Sequence, residues 1–273
     1  MSSFELFSIL VVILYGLGAL SIFTGTITRN QKLRTLSNLL TITGFSLHSV
    51  LLVYAMASNG WALPAGYYMS MLSWSLLLIY FFMWWRFKLS FLSLTASPLA
   101  LVLFIGSFHI VKGGSQLPKA WSGAFFGLHI GTLFLSFGLL AMAFGAGMLF
   151  TRLERKIKTK EPLSNFEKEM PALTTFDKVN QLAVIAGFPL YTIGLISGFI
   201  WARIEWGRVL SGDPKEIVSL GVWFIYAWLF HQRLIMGWRG RKAAHAAIWI
   251  FGICMFSLIG INIFTPTHHS FLQ

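Results

Sequence analysis

Long apolar runs separated by short polar breaks dominate this chain of 273 residues. Eight runs stand out, at about 4 to 26, 35 to 57, 67 to 85, 89 to 110, 122 to 150, 179 to 205, 216 to 236 and 243 to 264. Each is long enough for an α-helix to cross a hydrocarbon core of ~30 Å, which takes roughly 20 residues. The pattern predicts an all-α fold, a polytopic integral membrane bundle of about eight transmembrane helices forming a single membrane domain over residues 1 to 273. The first run lacks both a basic leading segment and a small-residue cleavage site, so it reads as a retained span rather than a signal peptide. No repeat, low-complexity tract, P-loop or GxGxxG is found, which argues against nucleotide-driven transport.

Composition agrees with the pattern. Hydrophobic residues make up 56% of the chain and charged ones 11%, about half the charged share of a soluble domain. The formal net charge is +12, but the cations sit in the breaks between runs and not on one amphipathic face. That placement marks topology, not nucleic-acid binding. The breaks after runs one, three, five and seven hold Arg29, Lys32 and Arg34, then Arg86 and Lys88, then seven Lys or Arg between Arg152 and Lys178, then Arg239, Arg241 and Lys242. The opposite side has only Lys112, Lys119, Arg203, Arg208 and Lys215. By the positive-inside rule both termini face away from the cytoplasm, in a cell inner (cytoplasmic) membrane. The loop 151 to 178 is then cytoplasmic: a continuation of the fifth helix followed by a surface segment, serving as a solvated connector or as a docking surface for a partner. Cys254 is the only cysteine, which excludes an internal disulfide, CxxC chemistry and a thiolate cluster.

Histidines dominate the titratable groups at membrane depth, where an ionisable side chain is a functional candidate by default. Counted from the outer ends of their runs, His48 lies roughly 14 Å deep and His231 roughly 22 Å deep, so the two are expected to face each other near the midplane. His129, about two turns into the fifth run, shares an outer level with His268 and His269 of the tail. His109 and His245 fall at helix ends, where an interfacial role suits them. Neutral imidazole ligates haem iron, zinc or copper. The 26 Phe, 11 Trp and 10 Met, with no thiolates and few acids in the membrane, suit a flat apolar porphyrin better than a bare ion.

The stretch from Gly198 to Phe264 carries a resemblance. It contains IEWGRVLSGDPKE, YAWLFHQR, GWRGRKAA and GIN, and resembles the cytochrome c assembly superfamily. Members of that family show a WGxxWxWDPKE outer loop, a YxxxLHxR-like helix end, a GWRGRRAA turn and a GVN helix end. Trp206, Gly207, Asp213, Pro214, Lys215, Glu216, Tyr226, His231, Arg233, Trp238, Gly240 and Asn262 fall on the pattern. LHI at 128 to 130 and HSF at 269 to 271 resemble the family's outer histidine segments. His48 matches the second-helix histidine of the short, eight-helix HemX type. The family's second and third loop tryptophans are replaced here by Leu210 and Gly212, which depletes the aromatic platform of the loop.

The resemblance implies that His48 and His231 ligate one haem b within the membrane and that His129 and His269 ligate another near the outer face. One or two haems per chain are expected. Trp206 and Asp213 belong to the implied outer site. Arg203, Arg208 and Lys215 would neutralise an outer haem's propionates, and Arg233 those of a deeper one. The expected role is not enzymatic: a HemX-like haem sensor or regulator of haem biosynthesis, with haem delivery in cytochrome c biogenesis as the alternative. The implied partners are haem, the lipid bilayer, and a cytoplasmic haem-synthesis enzyme or a cytochrome c assembly partner. A cofactor-free transporter using the histidines as a proton relay and a membrane electron-transfer cytochrome are the further alternatives.

Overall fold

The computed structural model describes residues 3–59, 63, 65–109, 122–207, 209–210 and 214–260. Among these the chain is helical and contains no strand. The helices are α1 (Ser3–Ile27), α2 (Gln31–Asn59), α3 (Ala65–Phe87), α4 (Ser93–His109), α5 (Ser122–Lys158), the short α6 (Asn165–Lys168), α7 (Leu173–Trp206), α8 (Pro214–Leu234) and α9 (Arg241–Met255). A 3-10 turn over Ser90–Leu92 leads into α4, and a π turn over Phe256–Gly260 follows α9.

Six helices, α1 to α5 and α7, are long and apolar enough to cross a membrane. The chain is therefore a multi-pass membrane protein, but eight crossings are not established. α8 has 21 residues but includes Lys215, Glu216, His231, Gln232 and Arg233, and α9 contributes 15 described residues. Helix ends also differ from the apolar runs. α5 runs on past its apolar stretch to Lys158, the continuation read from the sequence, and α7 starts at Leu173, before its apolar run, so charged residues extend both helices into water. The 37 residues of α5 span roughly 55 Å, well beyond the ~30 Å hydrocarbon core.

α5 and α7 form the central antiparallel pair, with α3 and α9 also packed on α5, while α1 packs on α2 and α4. Lipid is as apolar as a leucine side chain, so close packing and hydrogen bonds must hold such helices together. Small residues supply the closeness: Ala141, Ala143 and Ala146 of α5 and Ala183 of α7 are fully buried. Along the same seam the hydroxyl of Ser136 donates to the Gly187 carbonyl at 2.8 Å.

The basic breaks gather at one end of the bundle and are clasped by the acids of the connection from α5 to α7. Glu169 pairs with Arg29 and Arg34 at 3.3 and 3.2 Å, tying that connection to the α1–α2 turn. Glu167 is buried and accepts from Arg152 Nε and Lys156 Nζ, each at 2.9 Å. It also completes a capping box with Ser164 at the start of α6. Burial of Glu167 acts to raise its pKa, but the hydrogen bonds from Lys156, Ser164 and Arg152 outweigh it and bring the value to about 2.

Candidate functional site

His129 is positioned by two helices. It projects from α5 onto α7, where Gly194 and Gly198 stand one helical turn apart. Its Nδ1 lies 2.7 Å from the Gly194 carbonyl oxygen. A carbonyl can only accept, so Nδ1 carries the proton and, in the neutral ring, Nε2 carries the lone pair. Nε2 takes no hydrogen bond among the described residues. A Cβ at Gly198 would overlap the imidazole ring, so glycine is what lets the ring lie against α7. An imidazole held by an Nδ1–H bond to a backbone carbonyl is the usual arrangement of a metal-ligating histidine.

An aromatic cluster lies toward the same end of the bundle. Phe126 of α5 packs between Trp201 of α7, at 5.1 Å between ring centroids, and Tyr68 of α3, at 5.5 Å. Arg203 is exposed and donates through Nη1 to the carbonyl of Gly207, whose φ of 69° ends α7 in a left-handed cap. Arg208, Asp213 and His269 lie outside the described residues, as do the side chains of Trp206 and Lys215, so the geometry of the implied outer loop and tail is not described. Among the described residues no three His, Cys, Asp or Glu side chains converge to hold a metal.

The expected meeting of His48 and His231 is not found. His48 is fully buried and both ring nitrogens are engaged: Nδ1 lies 3.0 Å from Tyr15 Oη and Nε2 2.7 Å from Ser70 Oγ. Phe104 of α4 covers the ring at 4.5 Å between centroids. Three neighbouring helices, α1, α3 and α4, thus close on this imidazole. His231 is exposed on α8. α2 packs mainly on α1 and α3, whereas α8 packs on α7 and α9. Depth along a helix axis had brought the two residues to one level, but lateral order in the bundle separates them.

Arg233 also differs from the expectation of a propionate partner. It is buried, and its Nη1 donates to Asp177 Oδ1 at 2.8 Å and to the Trp238 carbonyl at 3.0 Å, while Nη2 donates to the Asp177 carbonyl at 2.8 Å. Asp177 Oδ1 also accepts from the Gly240 amide at 2.8 Å. Gly237 and Gly240, with φ of 65° and 62°, give the GWRGR turn the left-handed backbone this clasp requires. The arginine is therefore committed to joining α7 to the α8–α9 turn.

Sequence reasoning did not identify Gly194, Gly198, Tyr15, Ser70 or Asp177. The small-xxx-small spacing of Gly194 and Gly198 is the one sequence signal that marks a close helix approach; the other three residues are recognised only through their partners.

Residues 65–269 match the family described as cytochrome C assembly protein. The cytochrome c biogenesis protein CcsA of Thermosynechococcus vestitus is 41% identical over 97 residues, covering 36% of this chain and 30% of the relative. That of Synechococcus elongatus is 36% identical over 113 residues, covering 41% and 35%. That of Guillardia theta is 27% identical over 220 residues, covering 73% and 72%. The chain thus spans about a third of the two cyanobacterial relatives and nearly three quarters of the third. With the family match extending over most of its length, the chain belongs to the cytochrome c assembly protein family.

Proposed function

We propose that this chain carries haem for cytochrome c biogenesis, holding haem b at the non-cytoplasmic face through the Nε2 of His129. The observation that carries this reading is the hydrogen bond from His129 Nδ1 to the Gly194 carbonyl, which leaves Nε2 as the ligating atom. His268 or His269 of the tail would supply a second ligand, and Arg203 would neutralise a propionate. The basic end of the bundle faces the cytoplasm, so both termini lie on the opposite side of an inner membrane. The protein holds and presents its cargo without bond chemistry of its own, and its partner is an apocytochrome or another assembly protein. Relatives named for cytochrome c biogenesis support delivery. They lend no support to a HemX-like sensor, and the replacement of two loop tryptophans by Leu210 and Gly212 is a variation within the delivery reading.

The test is an absorption spectrum and pyridine haemochrome assay of the purified full chain, alone and after addition of Fe(III) protoporphyrin IX. His129→Ala is expected to lose the Soret band of the outer site, whereas His48→Ala retains it. A wild-type chain that neither carries nor takes up haem would overturn the reading.

A further inference from the structure

α9 turns one face to the bundle and the other outward. Its Ala243, Ala244, Ala247 and Ile250 are buried, and Phe251 stacks on Phe144 of α5 at 4.5 Å between ring centroids. At its start, Arg241 lies 4.0 Å from Glu154 of α5. α5 is long and apolar enough to cross the membrane, so α9 enters the bilayer beside it from the basic end. Lys242, His245 and Trp249 fall on the outward face and are exposed, at the i, i+3, i+7 spacing of one helical stripe.

Between this stripe and α8 lies a groove of about 500 Å³, lined by Ile225, Trp228, Trp238, Lys242, His245 and Trp249 together with the small Ala246. Trp228 meets Trp238 edge to face at 5.0 Å between centroids. The Lys242 ammonium stands 5.6 Å from the Trp238 ring centroid. Trp249 is 72% exposed and Trp228 45%. Indoles, apolar in the body and polar at the N–H, suit the level of lipid headgroups, and here three of them share one recess.

The charge at the rim selects the occupant. Lys242 sits in the first turn of α9, next to the exposed Arg239 and Arg241. Arg241 reaches an acid only at the 4.0 Å of Glu154, and neither Arg239 nor Lys242 has an acidic partner among the described residues. Cations left unneutralised at a membrane surface attract anionic headgroups. His245 lies roughly 4.5 Å deeper than Lys242, and Trp249 roughly 10.5 Å deeper. A glycerophospholipid follows the same order along its length, from phosphate to ester carbonyls to acyl chains. His245 makes no hydrogen bond among the described residues, so its N–H is free to donate to an ester carbonyl. A soluble anion would use the rim alone and leave the apolar depth empty, and a zwitterionic lipid would bring its own cation against Lys242.

We propose that the α8–α9 groove binds an anionic phospholipid of the leaflet at the basic end. Lys242 is the partner of its phosphate and His245 the donor to an ester carbonyl. Trp228, Trp238 and Trp249 wall the groove, with an acyl chain over Ala246 and Ile225. The site is separate from His129, which is 25 positions from Glu154 along α5, roughly 38 Å away. Its occupancy does not depend on haem.

The experiment titrates the purified full chain in a non-ionic detergent with phosphatidylglycerol or phosphatidylcholine carrying dibrominated acyl chains, whose bromines quench nearby indoles. Phosphatidylglycerol is expected to quench at about tenfold lower concentration than phosphatidylcholine. Lys242→Gln is expected to weaken phosphatidylglycerol about fivefold and to leave phosphatidylcholine unchanged. His245→Ala is expected to weaken both lipids about threefold, since both carry the ester carbonyl. Both residues are exposed, so neither change removes core packing. Trp228→Phe/Trp249→Phe is expected to abolish the phosphatidylglycerol-selective part of the quenching. Arg86→Gln, which removes an exposed cation of α3 at the same end, is expected to leave the titration unaltered. Equal quenching by the two lipids, or undiminished phosphatidylglycerol binding in Lys242→Gln, overturns the proposal. A loss as large in Arg86→Gln reveals only diffuse attraction to a basic surface and overturns it too. Displacement of the wild-type quenching by millimolar inorganic phosphate assigns a soluble-anion site instead, with the same consequence.

Discussion

The imidazole of His129 and the carbonyl of Gly194 are joined across the α5–α7 seam by a 2.7 Å hydrogen bond, and Gly198 makes room for the ring beside it. Gly198→Ala would put a methyl group into the space of the imidazole. Helix packing of this kind resists added volume, at about 1–3 kcal/mol. The ring must swing away, so both unfolding stability and haem affinity are expected to fall, the latter by about tenfold or more. Ser136→Ala, two turns along the same seam, removes a hydroxyl donor to Gly187. It is expected to cost about 1 kcal/mol and to leave haem binding unchanged. Detergent unfolding and haem titration of the two variants, read side by side, check this pair of outcomes.

Arg233 and Asp177 make the second prediction. The arginine side chain is 1% exposed and its partner 16%. Removing one member of such a pair leaves an uncompensated charge and costs about 3–5 kcal/mol, whereas replacing the pair with apolar groups is often tolerated. Asp177→Ala is expected to destabilise the α8–α9 turn strongly, while Asp177→Ala/Arg233→Met recovers much of the loss. If the arginine instead served a haem propionate, the single Asp177→Ala variant would keep its stability and Arg233→Met would lose haem.

How much of this was legible beforehand differs from feature to feature. The helical membrane class follows from apolar run length, and the basic end from charge placement. The acids of loop 151 to 178 then find their partners there, with Glu169 on Arg29 and Arg34. His129 was legible as a motif residue, but the Gly194 bond that fixes its tautomer was not, since it depends on how two helices are registered. His48 shows the limit most clearly. One sequence states the depth of each histidine, yet only the lateral order of the helices decides that α1, α3 and α4 enclose His48 while α8 carries His231 elsewhere. Arg233 illustrates the same point: its partner Asp177 lies 56 positions away, and no local sequence signal announces the pair.

The His48 cluster gives a third prediction. With Tyr15 on Nδ1 and Ser70 on Nε2, both polar atoms of a buried ring are satisfied, and a buried polar atom left without its partner costs about 1–3 kcal/mol. Tyr15→Phe and Ser70→Ala are each expected to destabilise by that amount, while haem bound at the outer site stays at its wild-type level. Combining Tyr15→Phe with Ser70→Ala and His48→Leu, which removes the ring as well as its partners, is expected to recover part of the loss. Thermal unfolding of the three variants, with the Soret absorbance followed in the same samples, measures both effects. A parallel loss of haem in Tyr15→Phe would show that His48 is a ligand and not a packing element.

Glu167 sets the acid sensitivity of the basic end. Its hydrogen bonds from Lys156, Ser164 and Arg152 hold its pKa near 2 against an ordinary value of 4.5. The folded state therefore keeps the carboxylate ionised at a pH where the unfolded chain binds a proton. The stabilisation is complete above about pH 4.5 and is lost as the pH falls toward 2. The segment between α5 and α7 is expected to stay protected at neutral pH and to open to protease within that acid window, ahead of the buried α5–α7 pair. Glu167→Gln removes the titrating group but also the ion pairs with Arg152 and Lys156, so its segment is expected to be cut faster at neutral pH with a flatter pH dependence. Limited proteolysis of nanodisc-embedded protein with an acid-active protease, repeated over this range for both forms, provides the measurement. Equal protection of the wild-type segment at pH 5 and pH 2 would remove Glu167 from this role.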